Sequence, residues 1–245
     1  MAELMSTNFN NYEFETFNGE KFIFKNLENT FVPTATTNYL FKSILKYNLK
    51  KGNTLDLGSG IGILGLLLCK KNKIKGKLYS SDLSKNSILS LIENSKIMQC
   101  EVDARIGSLF EPWKNIKFDN IINDVSGISK KVADLSPWFK KVPCDTGNDG
   151  TKLINKVLEQ APNYLNDKGL LFFPIISLSN QEKILETARK NFANTILIEK
   201  NEWPLPKEMN IYKDKLISMR NDKLIDFKDK FGMNIITTSV YVSYN

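Results

Sequence analysis

Residues 54–62, Thr-Leu-Asp-Leu-Gly-Ser-Gly-Ile-Gly, constrain this chain more than any other stretch. A short apolar strand, Thr54–Leu57, runs into three alternating glycines, and the apolar run Ile61–Cys69 then continues with the length of a helix. Glycines after a strand let the backbone turn tightly and approach a ligand closely. The helix that follows offers unpaired N–H groups to an anionic group. Strand, glycine turn and helix in this order open a βαβ unit, so a parallel sheet is the first expectation.

The alternation continues downstream. The pattern predicts strands at Lys77–Ser81, Val102–Ile106, Phe118–Asn123, Leu170–Ile176, Thr195–Lys200 and Ile235–Tyr244, and helices at Lys85–Met98, Thr151–Leu165 and Asn180–Phe192. With Thr54–Leu57 this makes an α/β fold: a mostly parallel seven-stranded sheet with helices on both faces, its last two strands pairing antiparallel at one edge. Upstream, Asn18-Gly19 between two apolar runs is a hairpin signal. Residues 34–48 read as a helix capped by Thr36 or Thr37, with Leu40, Phe41, Ile44 and Leu45 as its apolar stripe. We expect residues 1–50 to form a lid of hairpin and helix, and residues 51–245 to form the α/β domain. A possible insertion at 204–232 opens Pro-Leu-Pro and reads as a surface helix packed on the sheet. Five lysines between Lys70 and Lys77 follow a helix C-terminus, where positive charge is favourable.

The inventory excludes several chemistries. The 245 residues contain no histidine, which removes Ser-His-Asp hydrolysis and His-bound metals. Cys69, Cys100 and Cys144 form no metal-ligand pair and read as reduced, buried thiols; no metal site is expected. There is no apolar run long enough to span a membrane and no basic-then-apolar leader in Met1–Asn8, so a cytoplasmic protein without a membrane partner is expected. The formal charge of +7 permits an anionic partner, but only Arg105, Arg189 and Arg220 among the 34 basic residues carry the planar fork that base readout favours. Nucleic acid is a possible but less favoured partner.

Two cofactor readings compete at the glycine loop. Gly60-Ile61-Gly62-Ile63-Leu64-Gly65 fits the Gly-x-Gly-x-x-Gly of dinucleotide sites, whereas Gly58-Ser59-Gly60-Ile61-Gly62 fits the Gly-x-Gly-x-Gly of methyltransferases. Asp56 favours the second. A carboxylate inside a strand buried on both faces costs several kcal/mol unless paired, and S-adenosylmethionine carries an ammonium and a sulfonium for it to hold. Asp82, at the end of the next strand, is placed for the ribose hydroxyls of either cofactor.

With these residues in view, the chain resembles the small-domain class I methyltransferases, and within them the protein-glutamine methyltransferases that modify peptide release factors, over roughly residues 28–200. Leu55–Gly62 is similar to their cofactor loop. Phe31-Val-Pro-Thr-Ala-Thr-Thr-Asn-Tyr-Leu resembles the segment that lies over their cofactor. Gly107-Ser-Leu-Phe-Glu-Pro resembles Gly-Asp-Leu-Phe-Glu-Pro, and Gly147-Asn-Asp-Gly resembles Gly-x-Asp-Gly. The resemblance implies a Rossmann-like fold that binds S-adenosylmethionine through Thr37, Asp56, Gly58, Ser59, Gly60, Gly62, Asp82, Leu83, Ser108, Leu109 and Asn123. Ser108 stands where the family has an acid on the adenine amine. Asp124-Val125-Ser126-Gly127-Ile128 stands where the family has Asn-Pro-Pro-Tyr-Ile, with the catalytic role falling to Asp124 and Asn123. Only residues 1–53 precede the cofactor strand, where the family carries a long helical domain for release factors.

The function expected is therefore S-adenosylmethionine-dependent methylation of a nitrogen or oxygen on a small molecule or protein side chain. RNA-base methylation and non-catalytic cofactor binding are the alternatives. Trp113, Trp138, Phe139 and Trp203 either line an acceptor pocket or pack in the core.

Overall fold

A computed structural model describes residues 8–31, 33–139, 142 and 144–245. Val32, within the segment expected to cover the cofactor, and Met1–Thr7, read above for a leader, lie outside the described residues. The strands are β1 (Asn10–Glu15), β2 (Lys21–Asn26), β3 (Thr54–Leu57), β4 (Leu78–Asp82), β5 (Val102–Ile106), β6 (Phe118–Asn123), β7 (Leu165–Ile176), β8 (Asn194–Pro204), β9 (Lys228–Lys230) and β10 (Met233–Tyr244). The helices are α1 (Ala35–Lys46), α2 (Ile63–Lys70), α3 (Lys85–Met98), α4 (Lys130–Ala133), α5 (Lys152–Tyr164), α6 (Gln181–Asn191) and α7 (Lys213–Asn221).

The main sheet runs β5-β4-β3-β6-β7-β10-β8, the seven strands expected, with short β9 added beside β10. Pairing is parallel from β5 to β7 and antiparallel from β7 through β10 to β8. The chain reverses its strand order at β3, so the carboxyl ends of β3, β4 and β6 open onto one crevice, the usual ligand position in such sheets. Alternate residues face opposite layers: Leu55 and Leu57 enter one core with α5 and α6, while Leu78, Ile122 and Phe172 enter the other with α1 and α2.

Asn18-Gly19 does turn a hairpin, Gly19 having φ +77°, and β1 pairs antiparallel with β2. The hairpin's Phe14 and Phe24 are buried in the same core as Leu40, Phe41 and Ile44 of α1. Asn94 of α3 ties the hairpin down. Its Oδ1 accepts from the Lys25 N–H at 2.6 Å, and its Nδ2 donates to the carbonyls of Lys25 and Ile61, each at 2.9 Å. The lysines after α2 divide between ion pairs and solvent: Lys71 meets Glu20 and Lys77 lies 3.7 Å from Asp103.

Several boundaries differ from expectation. Thr34 rather than Thr36 or Thr37 caps α1, accepting from the Thr36 N–H, because Thr37 is turned inward. β7 begins five residues early, since Leu165 pairs with Phe118 across a register shift. β8 runs on to Pro204 because β10 pairs with it throughout. The 204–232 segment is more than a helix on the sheet. It comprises the 3-10 turn Lys207–Tyr212, α7 and β9, and its Leu205, Met209, Leu216, Met219, Ile225 and Phe227 bury a third core with Ile128, Val132 and Ile236. All three cysteines are free; Cys100 is buried, while Cys69 and Cys144 are half-buried.

Asn94→Ala leaves both backbone groups of Lys25 without partners, and a buried unsatisfied group costs about 1–3 kcal/mol. The expected loss in urea unfolding is about 2–3 kcal/mol. A shift below ~0.5 kcal/mol, typical of a neutral surface change, would show that the hairpin is not held by this residue.

Candidate active site

Three aspartates end or interrupt the three strands that open on the crevice. Asp56, inside β3, is fully buried, and its Oδ2 accepts from the Gly65 N–H of α2 at 2.9 Å while Oδ1 has no partner. A Cβ on residue 65 would meet Asp56 Oδ2 at 2.8 Å, so the helix approaches this closely only with glycine there. Burial, with Asp124 and Asp82 as neighbouring charges, pushes the Asp56 carboxyl up to about 7.

Asp82, at the end of β4, accepts from the Gly60 N–H at 2.9 Å through Oδ2 and from the Ser84 N–H at 2.8 Å through Oδ1. Burial raises it and these bonds oppose the rise. Asp124 directly follows β6, its N–H bonded to the Leu57 carbonyl at 3.0 Å. Its Oδ2 accepts from the Thr37 hydroxyl at 2.7 Å, and burial again pushes the carboxyl up to about 7.

A cleft of about 440 Å³ lies over these strand ends. Thr37, Gly58, Gly60, Asp82, Leu83, Ser108, Leu109 and Asp124 line it, eight of the residues expected there. Gly60 has φ +53° and open space where a side chain would be; Gly58 lies so close to the next loop that a Cβ would meet Val125 at 2.8 Å. Leu83 is 72% exposed, an apolar surface on the cleft wall.

The remaining expected residues sit behind that wall. Ser59 is buried with its hydroxyl donating to the Ser81 carbonyl, and a Cβ on Gly62 would strike Leu91 and Leu66. Asn123 is buried in β6 with neither atom of its amide bonded. Asp56, Ser59, Gly62 and Asn123 are not among the lining residues.

The aromatic residues divide. Trp113 is wholly buried, its Nε1–H donating to Ser81 Oγ at 3.0 Å, and belongs to the core. Trp138, Phe139 and Trp203 line the cleft, with Phe31 packed 5.0 Å from Phe139. Leu153, Pro174 and Ile176 also line it and were not anticipated; proline inside an apolar strand was the one available signal, since it withdraws a ladder donor. The loop carrying Val125–Ile128 is pinned from below by Gly147–Gly150. Ser129 Oγ donates to the Asn148 carbonyl, and a Cβ on Gly150 would collide with Ile128.

This crevice, at the point where the strand order reverses, defines a Rossmann-like methyltransferase fold, and solved structures share it. The chain superposes along 100% of its length on 53% of a T. thermophilus 16S rRNA N2 G1207 methyltransferase solved with AdoMet and guanosine (TM-score 0.60, 13% identity). It also matches a ribosomal protein L11 methylase from Lactobacillus delbrueckii subsp. bulgaricus over 88% of its length and 82% of that chain (TM-score 0.54, 16% identity).

More particularly, residues 24–124, from β2 to the aspartate after β6, match the methyltransferase small domain. Among curated relatives, the chain is 26% identical over 184 residues to a release factor glutamine methyltransferase of Flavobacterium psychrophilum and 28% identical over 177 residues to that of Bacillus cereus. These matches cover 69% and 66% of this chain but only 64% and 60% of the relatives. Among the described residues no helix is long and apolar enough to cross a membrane, and no cluster of His, Cys, Asp or Glu could hold a metal ion.

The raised carboxyls have a consequence for the cofactor-free protein. Between about pH 4, where an unfolded aspartate titrates, and about 7, folded Asp56 and Asp124 hold protons that the unfolded chain has lost. Their contribution to stability therefore falls as pH rises through that window. Asp56→Asn should melt above the unsubstituted protein at pH 8, with the gap closing towards pH 4, in scanning calorimetry. A gap independent of pH would contradict the buried, raised carboxyl.

Proposed function

We propose that the protein is an S-adenosylmethionine-dependent methyltransferase that transfers a methyl group to a nitrogen or oxygen of a small molecule or protein side chain. The observation that carries the reading is a set of three acids, Asp82 and Asp124 lining one glycine-lined cleft and Asp56 buried behind it within reach of their charges. Burying acids beside one another is unfavourable unless a cation joins them, and S-adenosylmethionine brings two cationic centres.

The residues present fit that cofactor. Gly58 and Gly60 let the backbone come close to it. Asp82 uses one lone pair of each oxygen on Gly60 and Ser84 and retains others for the ribose hydroxyls. Leu83 and Leu109 supply apolar surface for an adenine ring, with the Ser108 hydroxyl at its edge. Asp56 acts from behind the loop through charge, its free Oδ1 being the group that a bridged ammonium would satisfy. Bound there, the sulfonium methyl is already electrophilic, so the protein's work is alignment and exclusion of water. Asp124 stands on the acceptor side, oriented by Thr37, where it can hold an N–H or O–H and take its proton. Asn123 supports that strand end from within the sheet, and Phe31–Thr37 acts as the lid.

RNA-base methylation is less well supported. The +7 charge favours it, but among the described residues no Lys or Arg lines the cleft, and the Lys70–Lys77 run lies beyond the C-terminus of α2, at the opposite end of the strands.

Calorimetry with S-adenosylhomocysteine tests the cofactor. Asp82→Ala should weaken binding by about 1.5–3 kcal/mol, the range for hydrogen bonds to a charged group; unchanged affinity, or preference for NAD, would overturn the assignment. Asp124→Asn should keep that affinity while lowering methyl transfer from labelled cofactor at least about tenfold, or about 1.4 kcal/mol of transition-state stabilisation. An unchanged transfer rate would reduce Asp124 to a turn residue.

A further inference from the structure

A second cavity, about 510 Å³, adjoins the cofactor cleft on the side of the 26–35 segment. Asn29, Thr34, Trp138, Val142 and Trp203 wall both cavities, so the two share a boundary that includes the tryptophan pair. The rings lie 5.9 Å apart at 53°, and the Trp203 Nε1–H donates to Thr238 Oγ1 at 2.9 Å, which fixes the ring where it lines both cavities. The polar atoms that stand out here are acceptors. Asn26 Oδ1 is buried at the wall without a partner, Glu28 is exposed and makes no ion pair among the described residues, and Asp124 lies further in. No Lys or Arg among the described residues lines either cavity, although the chain carries 34 basic residues.

We propose that this outer cavity is the acceptor site of the enzyme and that the acceptor is an amine, entering as a protonated cation and guided past the tryptophan pair to Asp124. The inference rests on the methyltransferase reading and specifies its substrate class. Aromatic faces and a carboxylate attract an ammonium together, and an orphaned carbonyl oxygen gains a donor. Among the described residues, the cavity offers no cation to a phosphodiester backbone.

The chemistry closes. The ammonium gives a proton to the Asp124 carboxylate and becomes a neutral amine. Its lone pair forms the new N–C bond as the C–S bond breaks. The breaking pair remains on sulfur, leaving a neutral thioether and a methylated ammonium.

The test uses the full chain saturated with S-adenosylhomocysteine and three probes of one shape: phenethylamine, 2-phenylethanol and phenylacetate, titrated calorimetrically. Phenethylamine is expected to bind at least tenfold more tightly than either other probe. Glu28→Lys, on an exposed side chain that lines only the outer cavity, is expected to remove that preference and favour phenylacetate, while S-adenosylhomocysteine affinity stays within twofold. A blocked Gly-Lys-Gly peptide run in parallel separates the sources of the amine: tighter binding than phenethylamine assigns a protein side chain, weaker binding a small molecule. Equal binding of the three probes, tighter binding of a single-stranded RNA oligonucleotide, or an unaltered preference in Glu28→Lys would overturn the proposal. Failure of S-adenosylhomocysteine to bind would instead overturn the methyltransferase reading, and the probe series on the cofactor-free protein would still decide the preference of the cavity.

Discussion

The hydrogen bond from the Gly65 N–H to Asp56 Oδ2 sets the geometry on which the cleft depends. A carboxylate in the middle of β3 is buried whichever face it takes, because helices cover both sides of the sheet. The fold meets this by bringing the first turn of α2 within reach of it, and glycine at 65 removes the Cβ that would otherwise stand 2.8 Å from the carboxylate oxygen. The loop between strand and helix is then held short and steep. Gly58, Gly60 and Gly62, all with positive φ, carry the reversal, and Asp82 reaches across from β4 to bind the Gly60 N–H. The glycine loop is thus held from two strands at once.

That arrangement places like charges near one another in a poorly solvated place. Asp56 and Asp124 are pushed up to about 7, so the cofactor-free site is poised between charged and neutral forms. Under the proposed function this is useful rather than merely tolerated. A cation entering the cleft relieves the repulsion and draws both acids into their ionised forms, so part of the stability forgone by the free protein returns as affinity. The absence of histidine gives the point more weight, since a carboxyl raised by burial is one of the few groups left that can exchange a proton near neutral pH.

Most of the α/β frame was legible in the sequence because periodicity and glycine placement report local constraints. The strand-glycine-helix run at 54–70, the alternation through Phe192 and the hairpin at Asn18-Gly19 all depend on neighbours in sequence. What was not legible depends on distant partners. β7 starts early because of Phe118, and β8 extends to Pro204 because β10 is there to pair with it. The cap of α1 falls to Thr34 because Thr37 is engaged by Asp124, 87 residues away. The same division runs through the candidate site. Glycines and strand-end acids were visible, but whether Ser59 and Gly62 face the cleft or the core depends on how the loop rolls, against Ser81 and against Leu91 of α3.

The 204–232 segment shows how a part of the chain remote from the strand ends bears on the crevice. Leu205, Met209, Leu216 and Phe227 pack on Ile236 of β10 and close a core with Ile128, in the loop after Asp124, and Val132 of α4. That packing is what stations Trp138 and Trp203 beside each other at the mouth. In the family resembled at the sequence level, prolines and an aromatic ring stiffen and fill the same loop; here Val125-Ser126-Gly127 has neither. Stiffness is supplied instead from outside, by the third core above and the Gly147–Gly150 knot below, and the volume a ring would take is left open. A loop held at its flanks rather than by its own side chains leaves room in the middle, which under the proposed function suits an acceptor that carries its bulk up to the reacting atom.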